Sequence, residues 1–118
     1  MKKKIAILGS TGSIGKTLIE IIKKDKKEFD IILLTADKNY TDLYNQAKIL
    51  NVKNLIITNK KSFNKLKKKK IDKINIFNNY DSFNIIFKTK IDYVMSSISG
   101  ISGLIPTIKI IKHTKKIA

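Results

Sequence analysis

Cysteine is absent from the 118 residues, which excludes disulfides and thiolate metal sites. Arginine and tryptophan are also missing, and proline and histidine occur once each, as Pro106 and His113. Long hydrophobic runs are lacking too. No apolar stretch exceeds four residues, against the roughly 18–20 that a bilayer span requires. The opening Met1-Lys2-Lys3-Lys4 leads into only four apolar residues, too few for a secretory core. The expectation is a soluble, cytoplasmic protein with no membrane partner. Acidic residues are scarce, nine in all, and Asp25, Glu28 and Asp30 are scattered among lysines around a helix-to-strand turn. No metal site is expected within the chain.

The charge is strongly one-sided, with a formal net value of +16. All 25 basic residues are lysine, and Lys, Ile and Asn together make up half of the chain. Those three amino acids share A/T-rich codons, so the excess reads as base composition rather than a surface chosen for phosphate contacts. A nucleic-acid surface normally draws on arginine, whose planar fork gives bidentate contacts and stacking. The densest run, Lys67 to Lys70, closes a helical segment, where cations suit the C-terminal dipole and solvent. No nucleic-acid partner is expected.

Short apolar strands alternate with segments of helix length. Strands are expected at Ile5–Leu8, Phe29–Thr35, Leu55–Ile57, Ile74–Phe77 and Tyr93–Met95. The helices between them start near Ser13, Thr41, Asn59 or Ser62, Asp81 and Gly103. Thr41 reads as the N-cap of a helix running to about Leu50, with Leu43, Ala47 and Leu50 on one face, and Asp81 as the cap of a short helix through Phe87. The last helix, Gly103 to His113, carries Leu104, Ile108 and Ile111, with Pro106 in its first turn, where a missing N–H costs little. Lys115 to Ala118 reads as the entrance to a sixth strand. This pattern specifies an α/β fold, a Rossmann-type doubly wound parallel sheet with helices on both faces. Residues 1–118 read as a single NAD(P)-binding domain, short for a complete dinucleotide enzyme and expected to be the N-terminal piece of a longer one.

The stretch Gly9-Ser10-Thr11-Gly12-Ser13-Ile14-Gly15 follows the first strand and opens a helix with Leu18, Ile21 and Ile22 at helical spacing. Strand, glycine-rich turn and helix together bring backbone N–H groups and a positive helix end up to a phosphate. The three glycines divide the work between a tight turn, close approach of a pyrophosphate, and packing of helix on strand. Thr11 and Ser13 add hydroxyls, and Ser13 is placed to cap the helix.

Three segments occur in order: I-A-I-L-G-S-T-G-S-I-G from Ile5, A-D-K-N from Ala36, and S-S-I-S-G-I-S-G-L-I-P-T from Ser96 to Thr107. Together they resemble the N-terminal NADPH-binding domain of the 1-deoxy-D-xylulose 5-phosphate reductoisomerase family, over essentially the whole chain. The resemblance implies that Thr11, Gly12, Ser13 and Ile14 hold the NADPH pyrophosphate and adjacent ribose. It implies that Lys38 and Asn39 receive the adenosine ribose and its 2′-phosphate. A lysine there suits the extra phosphate, whereas an NAD site places a carboxylate on the ribose hydroxyls. The family pattern is usually A-G-K-N; Asp37 replaces its glycine and leaves the choice between NADPH and NADH open.

The resemblance further implies a divalent metal, Mg or Mn, held by ligands outside this chain, a sugar-phosphate substrate and a homodimer. The reaction it implies is rearrangement and reduction of 1-deoxy-D-xylulose 5-phosphate to 2-C-methyl-D-erythritol 4-phosphate, in non-mevalonate isoprenoid biosynthesis. No catalytic residue is expected in these 118 residues. Ser96, Ser97, Ser99 and Ser102 have no accompanying base and read as turn residues, and His113 lies near a helix C-terminus. Three other readings share the glycine loop. An extended short-chain dehydrogenase or epimerase needs a Tyr-x-x-x-Lys pair, and only Tyr44 and Lys48 have that spacing. A semialdehyde dehydrogenase needs a cysteine. The third is a non-catalytic nucleotide- or nucleic-acid-binding module.

Overall fold

In the computed structural model, which describes residues 2–69 and 73–118, six parallel strands form one sheet. They are β1 (Lys3–Leu8), β2 (Phe29–Ala36), β3 (Asn54–Ile57), β4 (Asn75–Phe77), β5 (Ile91–Ser96) and β6 (Thr114–Ile117), in the order β4-β3-β2-β1-β5-β6. The helices are α1 (Ser13–Lys24), α2 (Tyr40–Leu50), α3 (Lys60–Lys68), α4 (Phe83–Ile86) and α5 (Leu104–Ile110). The doubly wound α/β architecture is the one expected, and the sixth strand forms where Lys115 to Ala118 foretold it. Lys70, the end of the lysine run, and Met1 lie outside the described residues.

Both faces of the central strands are covered, so β1, β2 and β3 are apolar on both sides over most of their length. Ile5 and Ile7 of β1 point into one core with Ile19 and Ile22 of α1, Leu43 and Ala47 of α2, and Leu66 of α3. Ala6 and Leu8 face the other core, with Phe83, Phe87 and Ile110 from the α4 and α5 side. The chain therefore changes face between β1 and β5, which are sheet neighbours.

Four local expectations need correction. Helix α1 starts at Ser13 itself, with Gly12 as N-cap and no side-chain cap; its inward residues are Gly15, Ile19 and Ile22, while Ile21 is exposed. Helix α2 is capped by Asn39 rather than Thr41, the Asn39 side chain accepting from the Asp42 N–H at 3.1 Å. Asp81 caps nothing: its segment opens as a 3-10 turn, Tyr80–Ser82, and its carboxylate pairs with Lys109 at 2.7 Å. The last helix is shorter than expected, bounded by 3-10 turns at Ile101–Gly103 and Ile111–His113. Pro106 and Ile110 are its buried residues, whereas Leu104, Ile108 and Ile111 are each more than half exposed.

His113 packs edge-on to Phe83 and against Phe87, and its Nε2 is buried without a hydrogen-bond partner. Burial, and then the Lys112 charge, hold its pKa below the ordinary value of 6.5. The unfolded chain therefore binds this proton more readily than the folded one. Stability is intact above that ordinary value and falls as pH drops through it, levelling once the folded imidazole is also charged. Urea midpoints at about pH 7.5 and about pH 5.5 should show the loss, and His113→Phe should flatten it. Equal pH dependence in the two proteins would contradict this account.

Candidate functional site

All five glycines of the chain lie in two segments, Gly9 to Gly15 and Gly100 to Gly103. Those segments leave the C-terminal ends of β1 and β5, adjacent strands whose following helices cover opposite faces. A crevice opens at such a switch point, and ligands of doubly wound sheets bind there.

Two glycines of the first segment are required by contact. Gly9 has φ +76°, and a Cβ there would lie 2.8 Å from Ile98 Cγ1 and 3.2 Å from its backbone nitrogen. Gly15, in the first turn of α1, lies against the backbone of Ser10; a Cβ would stand 2.6 Å from its carbonyl carbon. Gly12 differs from both, since a Cβ on it would meet nothing nearer than 3.8 Å. It is exposed at the N-cap, with no acidic residue in the first turn of α1. The first-turn N–H groups of α1 thus end beside open space, the arrangement that can receive an anion.

A buried polar network holds this loop. The Gly9 N–H donates to Thr35 Oγ1 at 2.9 Å and the Ser10 N–H to the Thr35 carbonyl at 2.9 Å. Ser10 Oγ donates to Gln46 Oε1 at 2.7 Å, and Gln46 Nε2 returns a bond to the Ser10 carbonyl at 2.9 Å. From the other side, the Ser97 N–H donates to the Leu8 carbonyl at 2.9 Å, and its hydroxyl lies 2.7 Å and 2.8 Å from the Leu8 and Gly9 carbonyls. Ser96 and Thr107 hydroxyls meet at 3.2 Å. These two serines hold loops together. Satisfied buried networks of this kind rigidify what they join.

The sequence-derived site residues fall on two neighbouring strand ends. Thr11 is half-buried in the glycine loop, and Gly12, Ser13 and Ile14 are exposed at the start of α1. Lys38 and Asn39 are exposed after β2, which pairs with β1. A chain of polar contacts links the two groups: Lys16 of α1 pairs with Asp42 at 2.9 Å, and Asn39 Nδ2 donates to the same carboxylate at 2.8 Å. Lys16 first, and Asn39 second, hold the Asp42 carboxyl below its ordinary pKa. Among the described residues Lys38 has no ion-pair partner.

Sequence reasoning missed Thr35, Gln46, Lys16 and Asp42. A signal existed for Gln46, which shares the inward face of α2 with Leu43 and Ala47; a polar side chain there needs a partner. Tyr44 and Lys48 sit on α2, with the ammonium 4.4 Å above the ring, a surface cation–π pair. Among the described residues no group of three or more His, Asp or Glu side chains could hold a metal ion. No helix of the described residues is long and apolar enough to cross a membrane.

Two apolar surfaces adjoin the crevice. A cleft of about 750 Å³ runs over β5 and β6 on the α1 side, lined by Ile14, Leu18, Tyr93, Met95 and Ser96 among others. On the opposite side α5 and the turns before and after it expose Ile101, Leu104, Ile105, Ile108 and Ile111.

The family model for 1-deoxy-D-xylulose 5-phosphate reductoisomerase matches residues 5–118. A curated reductoisomerase of that name from Pelagibacter ubique (strain HTCC1062) is 57% identical, the match covering 98% of this chain and 31% of that protein. A solved structure of the Zymomonas mobilis reductoisomerase in complex with NADPH superposes with a TM-score of 0.88 at 28% identity, over 100% of this chain and 31% of the other. A second, a DOX-P reductoisomerase with NADPH, fosmidomycin and magnesium, gives 0.84 at 26% identity, over 98% and 29%. The chain thus spans about a third of the length of the curated relatives it matches.

Proposed function

The chain belongs to the 1-deoxy-D-xylulose 5-phosphate reductoisomerase family, and from that premise we propose that its residues are the N-terminal NADPH-binding domain of a longer enzyme of that kind. The observation that carries this reading is the uncapped N-terminus of α1, opened by Gly12 and fixed by the contacts of Gly9 and Gly15. Relatives solved with NADPH support it.

Thr11, Gly12, Ser13 and Ile14 border the pyrophosphate and its ribose, the backbone N–H groups and helix dipole receiving the negative charge. Lys38 offers an ammonium to the 2′-phosphate. Asn39 fixes that segment as the cap of α2 and borders the ribose. Bound NADPH supplies hydride, and this chain's part is to seat and orient it.

The whole enzyme, on this reading, rearranges and reduces 1-deoxy-D-xylulose 5-phosphate to 2-C-methyl-D-erythritol 4-phosphate. Its metal, magnesium or manganese, and its sugar-phosphate contacts belong to residues outside these 118. The α1-side cleft and the exposed face of α5 are surfaces for such residues, since apolar patches of this kind mark contacts. We place the enzyme in the cytoplasm as a homodimer.

Fluorescence titration of the chain with NADPH, beside a DNA titration over a salt series, tests the reading. Saturable NADPH binding with little DNA affinity is expected. Steep salt-dependent DNA binding without nucleotide affinity would overturn it. The 118 residues alone should not convert the substrate, and detectable turnover would contradict the proposed division of labour.

A further inference from the structure

Asp37 stands at the end of β2, where a carboxylate ordinarily reads the ribose hydroxyls of NAD and disfavours a 2′-phosphate. Here that carboxylate is engaged elsewhere. Thr58 Oγ1 donates to Asp37 Oδ1 at 2.7 Å, and the Asn59 N–H donates to the Asp37 carbonyl at 2.9 Å. Both partners follow β3, and β3 lies on the opposite side of β2 from β1. Tyr80, beyond β4 and further along the same side, is also near: its phenol pKa is raised by burial and then by the Asp37 charge. The carboxylate therefore faces β3 and β4, away from β1 and the glycine loop.

The backbone adds a second constraint. Thr58 is itself fixed, its N–H donating to the Ala36 carbonyl at 3.1 Å, and its carbonyl accepting from Asn78 Nδ2 at 3.2 Å. Among the described residues the only non-glycine residues with positive φ are Asn51 and Lys73. Asp37 thus occupies the family's glycine position without a left-handed backbone.

We propose that Thr58 is a specificity-determining residue, whose hydroxyl turns the Asp37 carboxylate away from the ribose and leaves the 2′ position to Lys38. The inference rests on the reading of the glycine loop as an NADPH seat. It explains how a chain with an acidic residue at this position retains a site for the phosphorylated cofactor. Thr58 acts through Asp37, so it is a positioning residue and touches no cofactor atom itself.

The test is a pair of titrations, with NADPH and with NADH, on the full chain and four variants. Wild type should prefer NADPH. Thr58→Val, close in shape but without a donor, should narrow the NADPH-to-NADH affinity ratio about tenfold, the scale of one charge-assisted hydrogen bond. Thr58→Ser keeps the donor and should leave the ratio unchanged. In an Asp37→Gly background, which should itself prefer NADPH, Thr58→Val should no longer move it. Equal weakening of both cofactors by Thr58→Val, or the same shift without Asp37, would overturn the inference and leave the NADPH reading standing. A folded wild-type chain that binds neither nucleotide would overturn both.

Discussion

Gly15→Ala should weaken NADPH binding by about a hundredfold, the equivalent of losing one or two charge-assisted hydrogen bonds of about 1.5–3 kcal/mol each to the phosphate. The added methyl would stand 2.6 Å from the Ser10 carbonyl carbon, and backbone cannot swing aside as a long side chain can. Helix α1 must then move off the glycine loop, taking its first-turn N–H groups away from the phosphate they would receive. Alanine is a better helix former than glycine by about 1 kcal/mol, but overpacking costs up to about 3 kcal/mol, so stability should also fall. Gly12→Ala separates the two effects. Its Cβ would meet nothing nearer than 3.8 Å, so stability should fall only by the difference between glycine and alanine at an N-cap, about 1 kcal/mol or less, while NADPH affinity drops. A loss of stability in Gly12→Ala as large as in Gly15→Ala, or unchanged NADPH affinity in Gly15→Ala, would argue against the assigned roles.

Phe83→Ala should destabilise the fold by about 3–5 kcal/mol, read as a shift in the urea midpoint at constant slope. Phe83 is 1% exposed and is among the largest fully buried side chains. Its ring lies 5.6 Å from Tyr80, 5.7 Å from Phe87 and 6.3 Å from His113. Removing it empties the junction between α4 and the turn after α5, which holds the second face of the sheet. The same change at Ile105, 60% exposed, should cost well under 1 kcal/mol in this chain. A comparable loss at both positions would mean that the α5 surface is packed rather than open.

The sheet was legible because buried parallel strands are short continuous apolar runs. Ile5 to Leu8 and Phe29 to Thr35 fall within one or two residues of the observed strands. Helix starts were less legible, because the chain places several cap-type residues side by side. In Asn39-Tyr40-Thr41-Asp42 the cap is decided by Asn39 meeting both the N–H and the carboxylate of Asp42, a choice that local sequence leaves open. The facing of α5 was not legible, for a compositional reason. With 24 isoleucines in the chain, apolar residues occupy both sides of the helices. Leu104, Ile108 and Ile111 then make a convincing stripe that points outward, while Pro106 and Ile110 turn in. The glycine loop was read from its own pattern, but the supports beneath it, Thr35, Gln46 and Ser97, are brought there by tertiary structure from 25, 36 and 88 residues away.

The central claim is that a dinucleotide lies across the ends of β1 and β2 with its pyrophosphate at the start of α1. Backbone amide chemical shifts of the chain, recorded with and without NADPH, test it most directly. The account predicts the largest changes at Gly9 to Gly15, a second group at Lys38 and Asn39, and smaller ones near Ser96 to Ser99. Changes confined to the lysine-rich face of α3, with the glycine loop unmoved, would contradict it.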